Sequence, residues 1–268
     1  MSNYSPFPVQ SNTQLWWCTA LLIAINVGLF AWQIFAGVDI TQPEIIDAIR
    51  WGADYAPLTY LEEPQRLFTS MFFHFGLIHL MLNMWALYIF GSVAEQLFGR
   101  SYFIGLYVLA GLMGSLLSGY IDVQNTYSLL NQFDPELLPR VGAGASGAVM
   151  GLGAALAILS LLPVLPRQQF ILDRKSLLLV MGLNLGMGFM ISGINNAAHI
   201  GGMMMGILLA LLWYLSQRLR VSVIGGMAGL LIGAACCLAL YQYNLEQIQQ
   251  IQPLWQEMLS QMKNQLGF

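Results

Sequence analysis

The sequence predicts an all-α, polytopic membrane protein, and three observations predict it. Of 268 residues, 57% are hydrophobic and only 9% charged, with a mean hydropathy of +0.64; a water-soluble domain is not this apolar. Apolar runs recur at about the 20-residue length that crosses a bilayer. The basic residues gather in alternate links between those runs, as they do when one side of a membrane is cytoplasmic. The net charge of −3 comes without any basic cluster, which excludes a phosphate-backbone partner and leaves nucleic acid out of consideration.

Seven candidate spans follow in order: about 16–35, 78–97, 102–121, 145–162, 176–192, 197–215 and 221–243. Residues 1–15 contain no Lys or Arg, so the first run lacks a signal-peptide n-region and is expected to stay as a span behind a short cytoplasmic segment. Loop one, 36–77, is too long for a tight helix link and is broken by Pro43, Pro57 and Pro64. Its Trp51, Phe68, Met71, Phe72, Phe73 and Phe75 suit partial burial at the membrane interface. Arg100 lies in the turn after the second span, and the fourth span opens in "RVGAGASGAVMG", 140–151. The fifth is short and interrupted by glycine; Ser192, Gly193, Asn195 and Asn196 follow it and are expected to form a mobile cap. After the seventh, 244–268 is expected to be an amphipathic interfacial tail, with Trp255, Leu259, Met262 and Leu266 at helical spacing. Cys18, Cys236 and Cys237 fall inside apolar runs without metal-ligand spacing and read as small packing residues.

Arg100, Arg167, Arg174, Lys175, Arg218 and Arg220 share one side, and only Arg50, Arg66, Arg140 and Lys263 oppose them over much longer segments. The positive-inside rule therefore places the N-terminus in the cytoplasm and loop one outside. No internal repeat is evident, which argues against a transporter built from duplicated halves.

Polar groups inside spans are costly, so those present carry information. His79 and Asn83, in "HLMLN", are four residues apart on one helical face. Ser146 opens span four and His199 lies near the start of span six. Singly, each reads as a residue that glues helices together. Spans two, four and six run in the same direction, however, so all four sit at one depth near the external surface. A hydroxyl, two imidazoles and a carboxamide in one layer are the parts of acyl transfer: a nucleophile, a base and donors to an oxyanion. Gly147 and Gly151 after the serine, and Gly202 and Gly206 at i+3 and i+7 from His199, would let spans four and six approach closely.

These residues resemble the rhomboid family of intramembrane serine proteases, over roughly residues 50–215. "GASG" at 144–147 matches the family's G-x-S-G motif, and "AHIGGMMMG" at 198–206 its A-H-x-x-G-x-x-x-G motif. "RLFTSMFFHFGLIHLMLNM" at 66–84 is similar to the loop-one and second-helix signature. The resemblance implies a six-helix core, 16–215, with one added C-terminal span, and a Ser–His dyad without an acidic third member. It makes Ser146 the nucleophile and His199 the general base and then acid. His79, Asn83 and the Ser146 backbone N–H become the oxyanion donors, while Gly144, Gly147, Gly202 and Gly206 support the packing. His74 is implied to be structural. Two positions depart from the pattern: Gln65 precedes Arg66 where a tryptophan is usual, which predicts looser anchoring of loop one in the membrane, and Met150 stands where a tyrosine often faces the histidine. Glu63, three residues before Arg66, keeps the pattern. Asn196 reads as an exposed loop-end residue, with a bond to His199 as the other reading.

No metal or organic cofactor is implied. The expected partners are transmembrane protein substrates and the lipid bilayer, and the expected location is the bacterial inner membrane with the site open to the periplasmic side. The oligomeric state is not written in the chain. The rival readings are an inactive rhomboid-like protein that binds membrane clients, and a channel or transporter lined by the same polar residues.

Overall fold

The computed structural model describes residues 16–165, 175, 177–179, 181–182, 185–186 and 196–266. Helix α1, Trp17–Phe35, buries Thr19, Leu22, Asn26, Phe30 and Gln33 along one stripe, the three-to-four residue spacing of a single helical face. Two short helices of loop one follow, α2 (Ile45–Arg50) and α3 (Ala56–Leu61), then one turn, α4 (Arg66–Thr69). The long helices are α5 (Leu77–Phe98), α6 (Arg100–Leu129), α8 (Asn196–Arg218) and α9 (Ser222–Leu266), with α7 (Ser146–Leu161) shorter between them. Among the described residues five helices are long and apolar enough to cross a membrane, and α7 is a sixth, shorter apolar helix. The chain is an all-α, multi-pass integral membrane protein. Most of the expected fifth span, 176–192, and most of the cap lie outside the described residues, as do residues 1–15.

The connection from α5 to α6 is the single residue Gly99, whose φ of +80° is open to glycine at little cost. At this end the Glu95 carboxylate accepts from Cys18 N–H at 3.0 Å and from Thr19 N–H and Oγ1 at 2.8 and 2.9 Å. A buried acid thereby satisfies the orphan donors that open α1. Helix α7 is the centre of the bundle, packed by α5, α6 and α8, and 147–156 are all buried. An all-round apolar helix is what such a position requires.

At the opposite end, loop one folds onto the bundle. Arg66, 7% exposed, donates to the carbonyls of Ile49 and Ala53 at 2.7 and 2.9 Å and to Glu63 at 3.0 Å. These bonds make Arg66 the tie between α2, the segment after it and α4 within loop one. A two-residue ribbon, β1 (Asp54–Tyr55) against β2 (Val141–Gly142), pairs Asp54 with Gly142 and Tyr55 with Val141. It joins loop one to the segment that leads into α7.

Two helices run past the expected spans. Helix α6, which carries the third span expected at 102–121, continues to Leu129. The seventh span and the tail, expected to part at 243, form one continuous helix; Pro253 does not break it. Ile248, Ile251, Trp255 and Leu259 are buried against the protein, so the apolar stripe of the tail serves tertiary packing instead of resting on the membrane surface.

Candidate active site

His79 lies on the first turn of α5. Its Nδ1 accepts the Phe75 N–H at 3.2 Å, which assigns the proton of a neutral ring to Nε2. A methyl group built on Gly144 would lie 2.8 Å from His79 Cε1 and 3.0 Å from Nε2, so the donor edge of the ring faces the loop entering α7. Gly144 itself has φ +122°, a conformation other residues rarely adopt. One turn further along α5, the buried Asn83 donates one amide hydrogen to the His79 carbonyl at 2.9 Å. That bond leaves the second hydrogen of its NH2 group for other use.

Ser146 is the first residue of α7 and is half-buried. The approach to it is held by loop one: Gly144 N–H donates to the Ser70 carbonyl at 2.8 Å, and Ala145 N–H points to His74 Nε2 at 3.5 Å. Burial, and then the neighbouring His79, hold the His74 imidazole well below the ordinary histidine range. A neutral ring is the form that can accept from an amide. The expectation that His74 is structural thus gains a specific partner, Ala145, just before the serine. The ribbon residues Asp54 and Gly142 were not anticipated as supports. Two-residue strands are too short for the alternation that marks a strand, so the sequence carries no signal for them.

His199 lies on the first turn of α8 and is 3% exposed. Among the described residues neither of its ring nitrogens has a hydrogen-bond partner, Ser146, Asn196 and Met150 included. The backbones of α7 and α8 touch directly behind the two residues. A methyl on Gly147 would sit 3.3 Å from the Ala198 carbonyl oxygen, and one on Gly114 of α6 2.7 Å from the same atom. A methyl on Gly202 would overlap the Gly147 carbonyl, and one on Gly206 the Gly151 carbonyl. This approach draws the ends of α7 and α8 together.

Met150 is buried at 1% exposure in the interior of α7. Asn196 corrects the expectation of an exposed loop end: it is the first described residue of α8, half-buried, and its Oδ1 is buried without a partner. Among the described residues no group of three His, Cys, Asp or Glu side chains is arranged to hold a metal.

His79, Asn83, Ser146 and His199 thus stand at the N-terminal ends of α5, α7 and α8, on the loop-one side of the bundle. Residues 61–216 match the family model described as Rhomboid domain. The chain is 29% identical over 213 residues to Rhomboid protease AarA of Providencia stuartii, an alignment covering 76% of this chain and 75% of that protein. It is 30% identical over 190 residues to Rhomboid protease GluP of Bacillus subtilis, covering 70% of this chain and 33% of that protein. It is 35% identical over 172 residues to RHOMBOID-like protein 5 of Arabidopsis thaliana, covering 62% and 50%. The family match spans more than half of the chain, and with the fold and the glycine-backed polar layer it leads to one conclusion: this protein belongs to the rhomboid family.

Proposed function

We propose that the chain is an intramembrane serine endopeptidase that hydrolyses peptide bonds in or near transmembrane segments of other membrane proteins. The observation that carries this reading is the meeting of α7 and α8 at the Gly147–Gly202 contact, with Ser146 and His199 on the first turns of those helices. Ser146 Oγ attacks the scissile carbonyl carbon while His199 takes the hydroxyl proton. The tetrahedral oxyanion accepts from the Ser146 N–H, from His79 Nε2–H and from Asn83, at a helix N-terminus whose dipole favours negative charge. His199 then returns the proton to the leaving amine, and deprotonates the water that releases the acyl group from Ser146. In the resting chain His199 bonds to nothing among the described residues; catalytic hydrogen bonds often close only when substrate binds.

With 16 residues, α7 is about 24 Å long, shorter than the roughly 30 Å hydrocarbon core. A helix this short cannot reach both surfaces, and in this reading its N-terminus is the recessed end, which water reaches from the external side. The substrate helix must unwind locally, because a helical carbonyl is already hydrogen-bonded. We place the protein in a bacterial inner membrane, N-terminus cytoplasmic, with the site on the periplasmic side.

A client-binding rhomboid that does not cut is the second reading, favoured by the unbonded His199. Cleavage of a model transmembrane substrate by purified protein separates the two. Wild type is expected to cleave and to react with a fluorophosphonate probe, and Ser146→Ala and His199→Ala to abolish cleavage. Absence of both cleavage and labelling in the wild type would refute the protease reading.

A further inference from the structure

Helix α9 is far longer than spanning requires. Its 45 residues extend about 67 Å, more than twice the roughly 30 Å of the hydrocarbon core. The additional half lies along the loop-one end of the bundle, and its contacts there are directional. Asn244, fully buried, donates to Tyr60 Oη at 2.8 Å and to the Leu116 carbonyl at 3.0 Å. The Trp255 indole, also fully buried, donates to Thr126 Oγ1 at 3.0 Å. Tyr127 Oη donates to the Gln247 carbonyl at 2.6 Å, and Lys263 grips both oxygens of Glu62 at 2.7 Å. The ring of Tyr241 stacks on that of Tyr60.

From Tyr60 the connection continues toward the serine. Tyr60 belongs to α3, where the adjacent Thr59 hydroxyl donates to Asp54 at 2.6 Å. Asp54 is paired with Gly142 in the ribbon, and Gly142 is two residues ahead of Gly144. A tail that only hid apolar side chains would not need the buried bonds of Asn244 and Trp255, each of which fixes an orientation that apolar contact leaves free.

We propose that the C-terminal half of α9 is part of the foundation of the nucleophile loop, and that Asn244 and Trp255 are positioning residues acting through Tyr60, Thr59 and the β1–β2 ribbon. That this positioning serves proteolysis rests on the function proposed above; the mechanical link from α9 to residues 141–145 does not.

The test uses the full chain in detergent micelles, with Asn244→Ala, Trp255→Phe and Tyr60→Phe, and Gln256→Ala on the exposed face as a control. Hydrogen exchange at 141–145 is expected to quicken about tenfold in the Asn244 and Tyr60 variants, the size carried by one buried hydrogen bond. The double variant should match Asn244→Ala, because the bond that Tyr60→Phe removes is one of the two that Asn244→Ala already removes. For a cleaved transmembrane substrate, kcat should fall several-fold with KM unchanged, and the control should match wild type. Faster exchange confined to 244–266, with 141–145 as in wild type, would overturn the proposal. Tyr60→Phe removes one oxygen atom only, so it keeps the test decisive where a larger change unfolds the tail. If wild type cleaves nothing, the protease reading fails, and exchange at 141–145 still decides the mechanical link.

Discussion

Replacing Gly144 by alanine tests the geometry at the mouth of α7 directly. The φ of +122° is strained for any residue with a Cβ, at a cost of about 1–3 kcal/mol. The added methyl would also lie 2.8 and 3.0 Å from His79 Cε1 and Nε2, against a comfortable separation of about 3.5 Å. The ring must retreat by roughly 0.5–0.7 Å to reach that separation. It is not free to do so, because its Nδ1 holds the Phe75 N–H and its face packs edge-on against His74. A donor displaced by this much is expected to lose most of its oxyanion contribution, about 10²–10³ in kcat. Cleavage of a transmembrane substrate in proteoliposomes should therefore show a large fall in kcat with little change in KM. Thermal denaturation should show a loss of about 1–3 kcal/mol. Adding His79→Ala removes the overlap, so stability should partly recover while activity does not. A Gly144→Ala protein with wild-type kcat and stability would refute the inferred facing of Gly144 and His79.

Arg66→Ala removes the guanidinium donor from the Ile49 and Ala53 carbonyls and from Glu63; thermal denaturation should show a loss of about 2–4 kcal/mol, below the largest values for buried pairs because Glu63 is 40% exposed. Asp54 gives a pH dependence: burial pushes its carboxyl up to about 6, against the opposing pull of Thr59 and Arg66. Its folded value lies above its unfolded one, so its contribution is complete below about pH 4 and is lost as pH rises through about 6. Between pH 4 and 8 the Asp54→Asn protein should gain about 2–3 kcal/mol relative to wild type. A difference that stays constant across that range would contradict the buried, protonatable state of Asp54.

Much of the candidate site was legible because its signals are local. The four-residue spacing of His79 and Asn83 puts them one turn apart wherever the helix lies. The glycines at 147, 151, 202 and 206 mark surfaces where backbones can meet, and the structure joins them to each other across α7 and α8. The partners of Arg66 and His74 were not legible. Arg66 binds carbonyls 13 and 17 residues away and His74 an amide 71 residues away, and backbone groups are the same at every position of a sequence.

The tail shows the same division most clearly. Its apolar stripe announces an amphipathic helix, but a membrane surface and a protein surface ask for the same stripe. The sequence by itself determined the fold class and the order of the long apolar helices among the described residues, and it singled out His79, Asn83, Ser146 and His199 as polar residues near helix starts. Bilayer thickness dictates span length, and the cost of a buried polar group makes each one conspicuous. Only the tertiary structure decided that α9 runs on without a break, that Trp255 and Asn244 reach Thr126 and Tyr60, and that Asp54 pairs with Gly142. Those choices depend on contacts between residues 88 to 184 positions apart in the chain, where no periodicity records them.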